Sequence, residues 1–501
     1  IGRSTHTCTP GPRQDKTPAA GEYRLRPDGR LVAGSNPRHR RTIDSVFTPA
    51  VPGCAIDRTD STSGRPPRLR TAVAVLCVVA AVSAGVVVVD FVGSELDPSV
   101  GAAAADQAAL PYAEREPIAP PTNGTTVVTT QKYRHNFIVA FSPDGRVRYF
   151  DDSLDRYHDV DPVPNSSHTV EFVGAEYDGD TTHEVVRRVN LTTGESSDRY
   201  RYAVPRTDRP HRWHDVDRVG PDRIAVADIA RDSIFVVDTR TGERTYEWSA
   251  QSAYGFDSGG SFPDDWTHLN DVESLPDGRY MVSLRNQDSV VFVDPGSGVD
   301  PAWTLGTDDD YRILNEQHNP DYIPAGDRPA VLVADSQNDR IVEYRRQGGA
   351  WTRTWTWTDA DMAWPRDADR LPNGHTLVGD TNSGRVLEVD TDGDVVWAID
   401  GVGVYDVERI SASDSPAEPA PADRLGIGNR SATDDARSPV TRATATLVPP
   451  VLRNSVGFVS PLWLSSLGRA AAIAAAVSGV LAGAVVAGHR LYRSWRGRTK
   501  E

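Results

Sequence analysis

Six short phrases in the middle of the chain hold the residues best suited to chemistry. They are His158-Asp159-Val160-Asp161, His214-Asp215-Val216-Asp217, Asn270-Asp271-Val272-Glu273, His318-Asn319-Pro320-Asp321, Arg366-Asp367-Ala368-Asp369 and Tyr405-Asp406-Val407-Glu408. The first letter runs His, His, Asn, His, Arg, Tyr, a set of side chains able to bind an anion or to attack one. The other letters form a steadier framework. A recurring phrase with one variable polar position is what a ring of repeats produces when each unit aims one residue at a shared centre. Two more residues join the set. His268 stands two before Asn270, where strand alternation would put both on one side. Arg285 follows Leu284 at a place where other repeats carry Asp228-Ile229, Asp335-Ser336 and Asp380-Thr381. One repeat has thus exchanged an acid for an apolar residue and gained a guanidinium, whose planar fork of donors suits a tetrahedral oxyanion.

Positioning these residues requires a closed ring. Successive first letters lie 56, 56, 48, 48 and 39 residues apart, and a four-stranded propeller blade needs roughly 40–50 residues. Between them run short β-branched and aromatic stretches such as Thr376-Leu377-Val378, Arg385-Val386-Leu387-Glu388-Val389 and Val395-Val396-Trp397-Ala398-Ile399. Asn-Gly and Asp-Gly pairs that favour hairpin turns separate many of them. The two ends of the region complete each other. Residues 125–130 and 136–151 read as second, third and fourth strands without a first, and 405–410 read as a first strand alone. Joining them gives six full blades and removes the exposed edges. The predicted fold is all-β, a six-bladed β-propeller over residues 123–410.

Several of the same residues have a quieter reading. The second and fourth letters, such as Asp215 and Asp217, suit bonds to backbone amides at strand starts. Arg366 is either a second anion-binding group or a salt-bridge partner of Asp367. Trp248, Trp303, Trp357 and Trp397 recur at expected fourth strands and read as packing residues, and His375 falls in a turn and reads as exposed.

Acidic residues outnumber basic ones by 70 to 54, for a net charge of −16, and only Lys16, Lys132 and Lys500 are lysines. An Asp-rich, Lys-poor surface stays hydrated where water activity is low, which points to a halophilic source and away from nucleic acid as partner. Cys8, Cys54 and Cys77 all precede the repeats, so no disulfide framework supports the propeller. Two apolar stretches, Ala72–Val89 and Ala470–Gly488, meet the roughly 18–20 residues that a membrane span needs. Arg65, Arg68 and Arg70 lie before the first, and Arg490, Arg493, Arg496, Arg498 and Lys500 follow the second. That asymmetry predicts both termini in the cytoplasm and the propeller on the extracellular side of the cell membrane. The expected order is a disordered or mistranslated tail over 1–64, a transmembrane helix over 71–92 and a linker over 93–122. The propeller over 123–410 follows, then a disordered stalk over 411–460, a second transmembrane helix over 469–489 and a basic tail over 490–501.

Over roughly 123–410 the chain resembles the arylsulfate sulfotransferase (arylsulfotransferase) family, in its haloarchaeal, membrane-anchored form. The resemblance rests on Trp213-His214-Asp215, Trp266-Thr267-His268-Leu269-Asn270, Leu284-Arg285-Asn286-Gln287 and Gln317-His318-Asn319. It implies ping-pong transfer of a sulfuryl group from an aryl sulfate donor to a phenolic acceptor, without the nucleotide donor PAPS. It also implies that His318 is the nucleophile and that His214, His268, Asn270 and Arg285 surround the sulfuryl group. An imidazole with an ordinary pKa near neutrality suits His214 to protonate the leaving phenolate and later deprotonate the acceptor. His158, Arg366 and Tyr405 would then be aryl contacts or supports, and neither a metal nor a cofactor is called for. Two departures stand out. Bacterial members carry an additional β-domain before the propeller that nothing here resembles, and Asn319-Pro320 differs from their pattern. The alternative is a non-catalytic surface propeller that binds an anionic or phenolic ligand or a partner protein.

Overall fold

The computed structural model describes residues 67–96, 99–131, 136–206, 212–411, 419–430, 448–462 and 464–498, together with an antiparallel pair, Arg24–Leu25 with Leu31–Val32. The expectation for residues 1–64 otherwise lies outside the described residues. From 124 to 411, short apolar runs broken by Asp- and Gly-rich turns fold into six antiparallel sheets arranged as a six-bladed propeller. Blade one joins the two ends of the region, pairing Val404–Ser411 with Gly124–Thr130, followed by Ile138–Phe141 and Val147–Asp151. Blades two to six begin with the strands Arg156–Pro162, Trp213–Gly220, Leu269–Ser274, His318–Ile323 and Pro365–Arg370. In blade four the outermost strand is broken into Gly298–Val299 and Leu305–Gly306, and Trp303 sits in the turn between them rather than on a strand.

Both faces of every sheet must be covered, so the hydrophobic core is divided into six layers, one between each pair of neighbouring blades. Val173 and Val186 of blade two meet Trp213, Val226 and Phe235 of blade three, and Met281 and Phe292 of blade four meet Val331 and Val342 of blade five. Trp248, Trp357 and Trp397 are buried in such layers, as the packing reading expects. His375 is half-buried and bonded to Glu388 at 2.7 Å, because a turn residue at this radius still faces the neighbouring strand.

The two segments flanking the propeller are more ordered than a linker and a stalk. Within 93–122 the helix Val100–Ala108 buries Ala104 against blades six and one. Within 411–460, Ala422 and Ile427 enter the layer between blades five and six, and the Glu343 carboxylate accepts from the Ala422 amide at 2.9 and 3.0 Å. A helix, Pro450–Val459, lies further along. Sparse apolar residues in a polar stretch carried too little periodicity to reveal these contacts. The expectation for 412–418 and 431–447 lies outside the described residues.

The helices Pro67–Leu96 and Ser466–Arg498 each contain a stretch long and apolar enough to cross a membrane, Thr71–Phe91 and Leu467–Tyr492. They pack side by side and antiparallel. Asp90, near the end of the first, accepts from the Ser465 amide at 3.0 Å and its hydroxyl at 2.8 Å, just before the second begins.

Candidate functional site

Five of the six first letters lie in a β-bulge of their first strand, whereas His318 stays in the ladder, paired with Ala334. In blades three, four, six and one the pairing register skips a single residue, and the skipped residues are His214, Asn270, Arg366 and Tyr405. In blade two His158-Asp159 stand opposite Val173 alone, and in blade five Asn319-Pro320, directly after His318, stand opposite Val333 alone. A β-bulge frees a residue from the ladder and turns its side chain away from the strand's ordinary alternation. The mouth of the channel, where first strands begin and second strands end, is therefore ringed by the variable letters.

Below them the second and fourth letters tie blade to blade. Asp159 accepts from the Val216 amide at 3.4 Å, Asp367 from Val407 at 3.0 Å, Asp406 from Val160 at 2.6 Å, and Asp215 from Val272. One layer deeper, Asp217 accepts from Ser274 at 2.5 Å, Glu273 from Tyr322 at 2.9 Å and Asp321 from Arg370 at 3.2 Å. Burial, reinforced in most cases by neighbouring acids, raises these carboxyls above their ordinary range; Asp215 is pushed up to about 7 even though the Val272 amide pulls the other way. The framework reading of Asp215 and Asp217 agrees with these bonds.

On one side of the mouth, His268 and Arg285 form a clamp. His268 precedes its strand and has a left-handed backbone (φ 46°), so a turn brings it to the site rather than alternation with Asn270. The turn is pinned from blade three, where Asp232 accepts from the Thr267 amide at 3.1 Å. Arg285 Nη1 lies 3.1 Å from His268 Nε2, and His268 Nδ1 lies 2.7 Å from Asp265. Guanidinium only donates, so Nε2 accepts and Nδ1 carries the proton given to Asp265. Burial and then the Arg285 charge press the His268 pKa down to about 4, against the opposing pull of Asp265. Both its nitrogens are engaged, which makes His268 a holder of Arg285. Asn270 is fully buried; its amide donates to the Gln317 carbonyl at 3.1 Å, and its Oδ1 has no hydrogen-bond partner among the described residues.

His318 sits on the next blade, 1 % exposed. Its Nδ1 lies 2.8 Å from Ser336 Oγ, and that hydroxyl reaches the Pro365 carbonyl at 2.7 Å. A hydroxyl has one proton, and the carbonyl can only accept it, so at His318 the serine oxygen is the acceptor. Nδ1 therefore bears the proton and Nε2 keeps its lone pair. Burial, then the charges of Arg366 and Arg285, hold the His318 pKa well below the ordinary imidazole value, so the ring is neutral at pH 7.

The remaining residues form an aromatic wall. His158 stacks on His214 with centroids 4.6 Å apart, the Tyr405 ring meets His158 edge-on at 5.0 Å, and Tyr405 Oη lies 3.3 Å from His214 Nδ1. His214 in turn meets His268 edge-on at 5.6 Å. Arg366 lies over the Tyr405 ring at 5.0 Å and donates to Gln131 Oε1 at 3.0 Å, rather than bridging to Asp367. With that oxygen facing Arg366, the Gln131 amide nitrogen, 2.8 Å from His158 Nε2, donates to it. Gln131 and Ser336 are the residues that sequence reasoning missed as part of the site. Val404 pairs with Thr130 as Leu269 pairs with Leu284, which makes Gln131 the counterpart of Arg285 in blade one; that correspondence was the available signal.

A cavity of about 580 Å³ opens beside the clamp, lined by Arg285, Asn286, Glu316, Tyr311, Pro450 and Val451 among others. The site as a whole thus offers one buried nucleophilic nitrogen, two guanidinium groups and a set of histidine and tyrosine rings. That combination suits transfer of an oxyanion group.

The family model of the arylsulfotransferases (ASST) matches residues 223–401, from the second strand of blade three to the end of blade six. The match includes His268, Asn270, Arg285, His318 and Arg366, and it supports arylsulfotransferase-type activity in general. No curated protein matches the chain. Solved structures similar to it include a protein of unknown function from Bacteroides caccae at 13% identity, covering 57% of this chain and 98% of that one, with a TM-score of 0.40. A putative 6-phosphogluconolactonase from Bacteroides uniformis gives 12%, 57%, 98% and 0.39, and virginiamycin B lyase from Staphylococcus aureus gives 12%, 48%, 69% and 0.32.

Proposed function

We propose that the protein is an aryl sulfotransferase anchored in a membrane, with the propeller outside and both termini in the cytoplasm. The observation that carries the chemistry is His318, a buried neutral imidazole with its Nδ1 proton held by Ser336 and with cations on two sides. In the first half-reaction the Nε2 lone pair attacks the sulfur of an aryl sulfate. An N–S bond forms, the S–O bond to the aryl group breaks, and the electron pair leaves on the phenolate. His214, backed by Tyr405, delivers a proton to that oxygen. Arg285, held by His268 and Asp265, meets the equatorial oxygens, together with the Asn270 amide; donors fixed in a dry site are worth a few kcal/mol each, roughly 3. In the second half-reaction the acceptor phenol gives its proton to His214 and attacks sulfur, and the N–S bond breaks. His158, Gln131 and Arg366 hold the wall against which the aryl ring lies. The anchor reading is supported by the antiparallel helix pair, whose far ends carry the basic clusters.

The test incubates the protein with p-nitrophenyl sulfate and a phenol and follows p-nitrophenol release. Wild type releases p-nitrophenol and forms the new aryl sulfate, and His318→Ala loses at least about a thousandfold in turnover. An active His318→Ala removes the proposed nucleophile. No release by wild type across donors would favour a propeller that only binds anions or phenols.

A further inference from the structure

The mouth of the channel faces the two long helices. The chain leaves the first helix and reaches blade six at Val100, close to Gly401, and returns from the propeller through Leu462, which touches Gly384. Both contacts lie on mouth-end loops. Between them the helix Pro450–Val459 crosses the mouth as a strap. Its inner face is fixed: Asn454 donates to Gln337 at 3.1 Å and accepts from Asn382 at 3.0 Å, Arg453 pairs with Asp339, and Phe458 lies 5.4 Å from the Arg366 guanidinium carbon. Its outer face is apolar and open, with Val451, Leu452 and Val459 exposed by 57%, 54% and 61%. Across the cavity, the loop that carries Gly259 and Gly260 presents Phe256 and Phe262, 54% and 42% exposed, with ring centroids 4.0 Å apart.

An amphipathic helix with its polar face tied down and its apolar face bare, six residues before an apolar helix of membrane-spanning length, has the character of an interfacial segment. The cavity beside Arg285 opens between Pro450 and Val451 of that segment and Tyr311. Its floor is polar, and at its rim Tyr311, Pro450 and Val451 stand beside the exposed Ser261 and Asp309. We infer that the acceptor is a phenol with a long alkyl chain, supplied from the lipid phase. The phenolic ring enters the cavity toward Arg285 and His318 while the chain stays among the lipids along the strap and the Phe256–Phe262 loop. This inference rests on the reading of the two long helices as membrane anchors and of the site as a sulfotransferase. A water-soluble acceptor would need no apolar strap face, and the exposed Val451, Leu452 and Val459 would carry only an aggregation risk.

The experiment uses the full chain in liposomes, with p-nitrophenyl sulfate as donor and either phenol or a pentadecyl-substituted phenol as acceptor. Wild type is expected to sulfate the long-chain phenol with a kcat/KM about tenfold higher or more. The double variant Leu452→Asp, Val459→Asp is expected to keep its rate with phenol and to lose that preference. Equal use of the two acceptors by wild type, a preference kept by the double variant, or a double variant that slows both alike, would overturn the inference. A second measurement is independent of turnover. A nitroxide on Leu452→Cys, with Cys8, Cys54 and Cys77 replaced by Ser, should collide more with dissolved oxygen than with a water-soluble nickel chelate. The opposite order overturns the inference even in an active enzyme. Lipid exposure at Leu452 without sulfation of any acceptor would instead remove the sulfotransfer reading on which the acceptor rests. Failure of the chain to enter liposomes removes the anchor reading.

Discussion

Blade three and blade five share the first and last letters of the phrase, His and Asp, and are held in different ways. In blade three the first strand is tied at both sides, since Val216 gives its amide to Asp159 of blade two and Asp215 takes the Val272 amide of blade four. In blade five both ties are altered. Pro320 stands where the amide would be and has none to give, and Asp271 of blade four keeps a buried Oδ1 without a hydrogen-bond partner among the described residues. Asn319 stands where the acid would be, with a left-handed backbone at φ 33°. At this level Gln317 bonds to Ser283, Leu284 and Ser289 of blade four and His318 bonds within the blade to Ser336, while the deeper ties of Glu273 to Tyr322 and of Asp321 to Arg370 are kept. The upper layer of the repeat is thus kept in blade three, which supplies His214, and altered directly after the proposed nucleophile in blade five. Backbone strain and departure from a framework concentrate at functional sites because surrounding structure can hold them there.

That contrast can be broken first at the chemistry. Arg285→Lys should lower kcat by about a hundredfold, because an ammonium cannot present a fork to the sulfuryl oxygens nor keep the His268 bond in the same geometry; steady-state kinetics with p-nitrophenyl sulfate reads it. Ser336→Ala should cost roughly ten- to a hundredfold in kcat with little change in KM, because the His318 tautomer is no longer held. Ser336→Thr, which keeps the hydroxyl, should restore most of the loss, and an unimpaired Ser336→Ala would place the control of His318 elsewhere.

Stability sharpens the same comparison. Asp215→Ala leaves the buried Val272 amide without its acceptor and should cost about 2 kcal/mol, whereas Asp271→Ala, opposite Pro320, should cost less than half of that in denaturant unfolding. Asp271→Asn has the smallest expected effect and a pH signature. Burial, and then neighbouring acids, raise the folded pKa of Asp271 above its ordinary value. The folded state thus binds more protons than the unfolded state once pH exceeds about 4, and the Asp271 contribution to stability falls as pH rises. The variant should match wild type near pH 4 and exceed it at pH 8, by roughly 2–4 °C in Tm. A constant offset across pH would show that Asp271 does not titrate on folding.

Much of this architecture was legible because it repeats. Periodicity two, Asp-Gly turns and the spacing of the phrases gave the strands, and the complementary fragments at the two ends gave the closure of blade one. The framework acids were legible for the same reason. Gln131 and Ser336 were not, although the counterpart of Arg285 in each blade could be aligned, because a Gln and a Ser become site residues only through what they touch. The packed pieces of 93–122 and 411–460 were missed because a few apolar residues find their partners on distant strands.

The sequence by itself determined the repeat, its ring and the kinds of side chain gathered at its centre, since these depend on local propensity and pattern. Only the tertiary structure decided the roles within that set. The bulges that aim five of the first letters, the proton held on His318 Nδ1, the engagement of both His268 nitrogens and the strap across the mouth all depend on hydrogen bonds and packing between residues far apart in the chain. Local patterning carries no record of those partners.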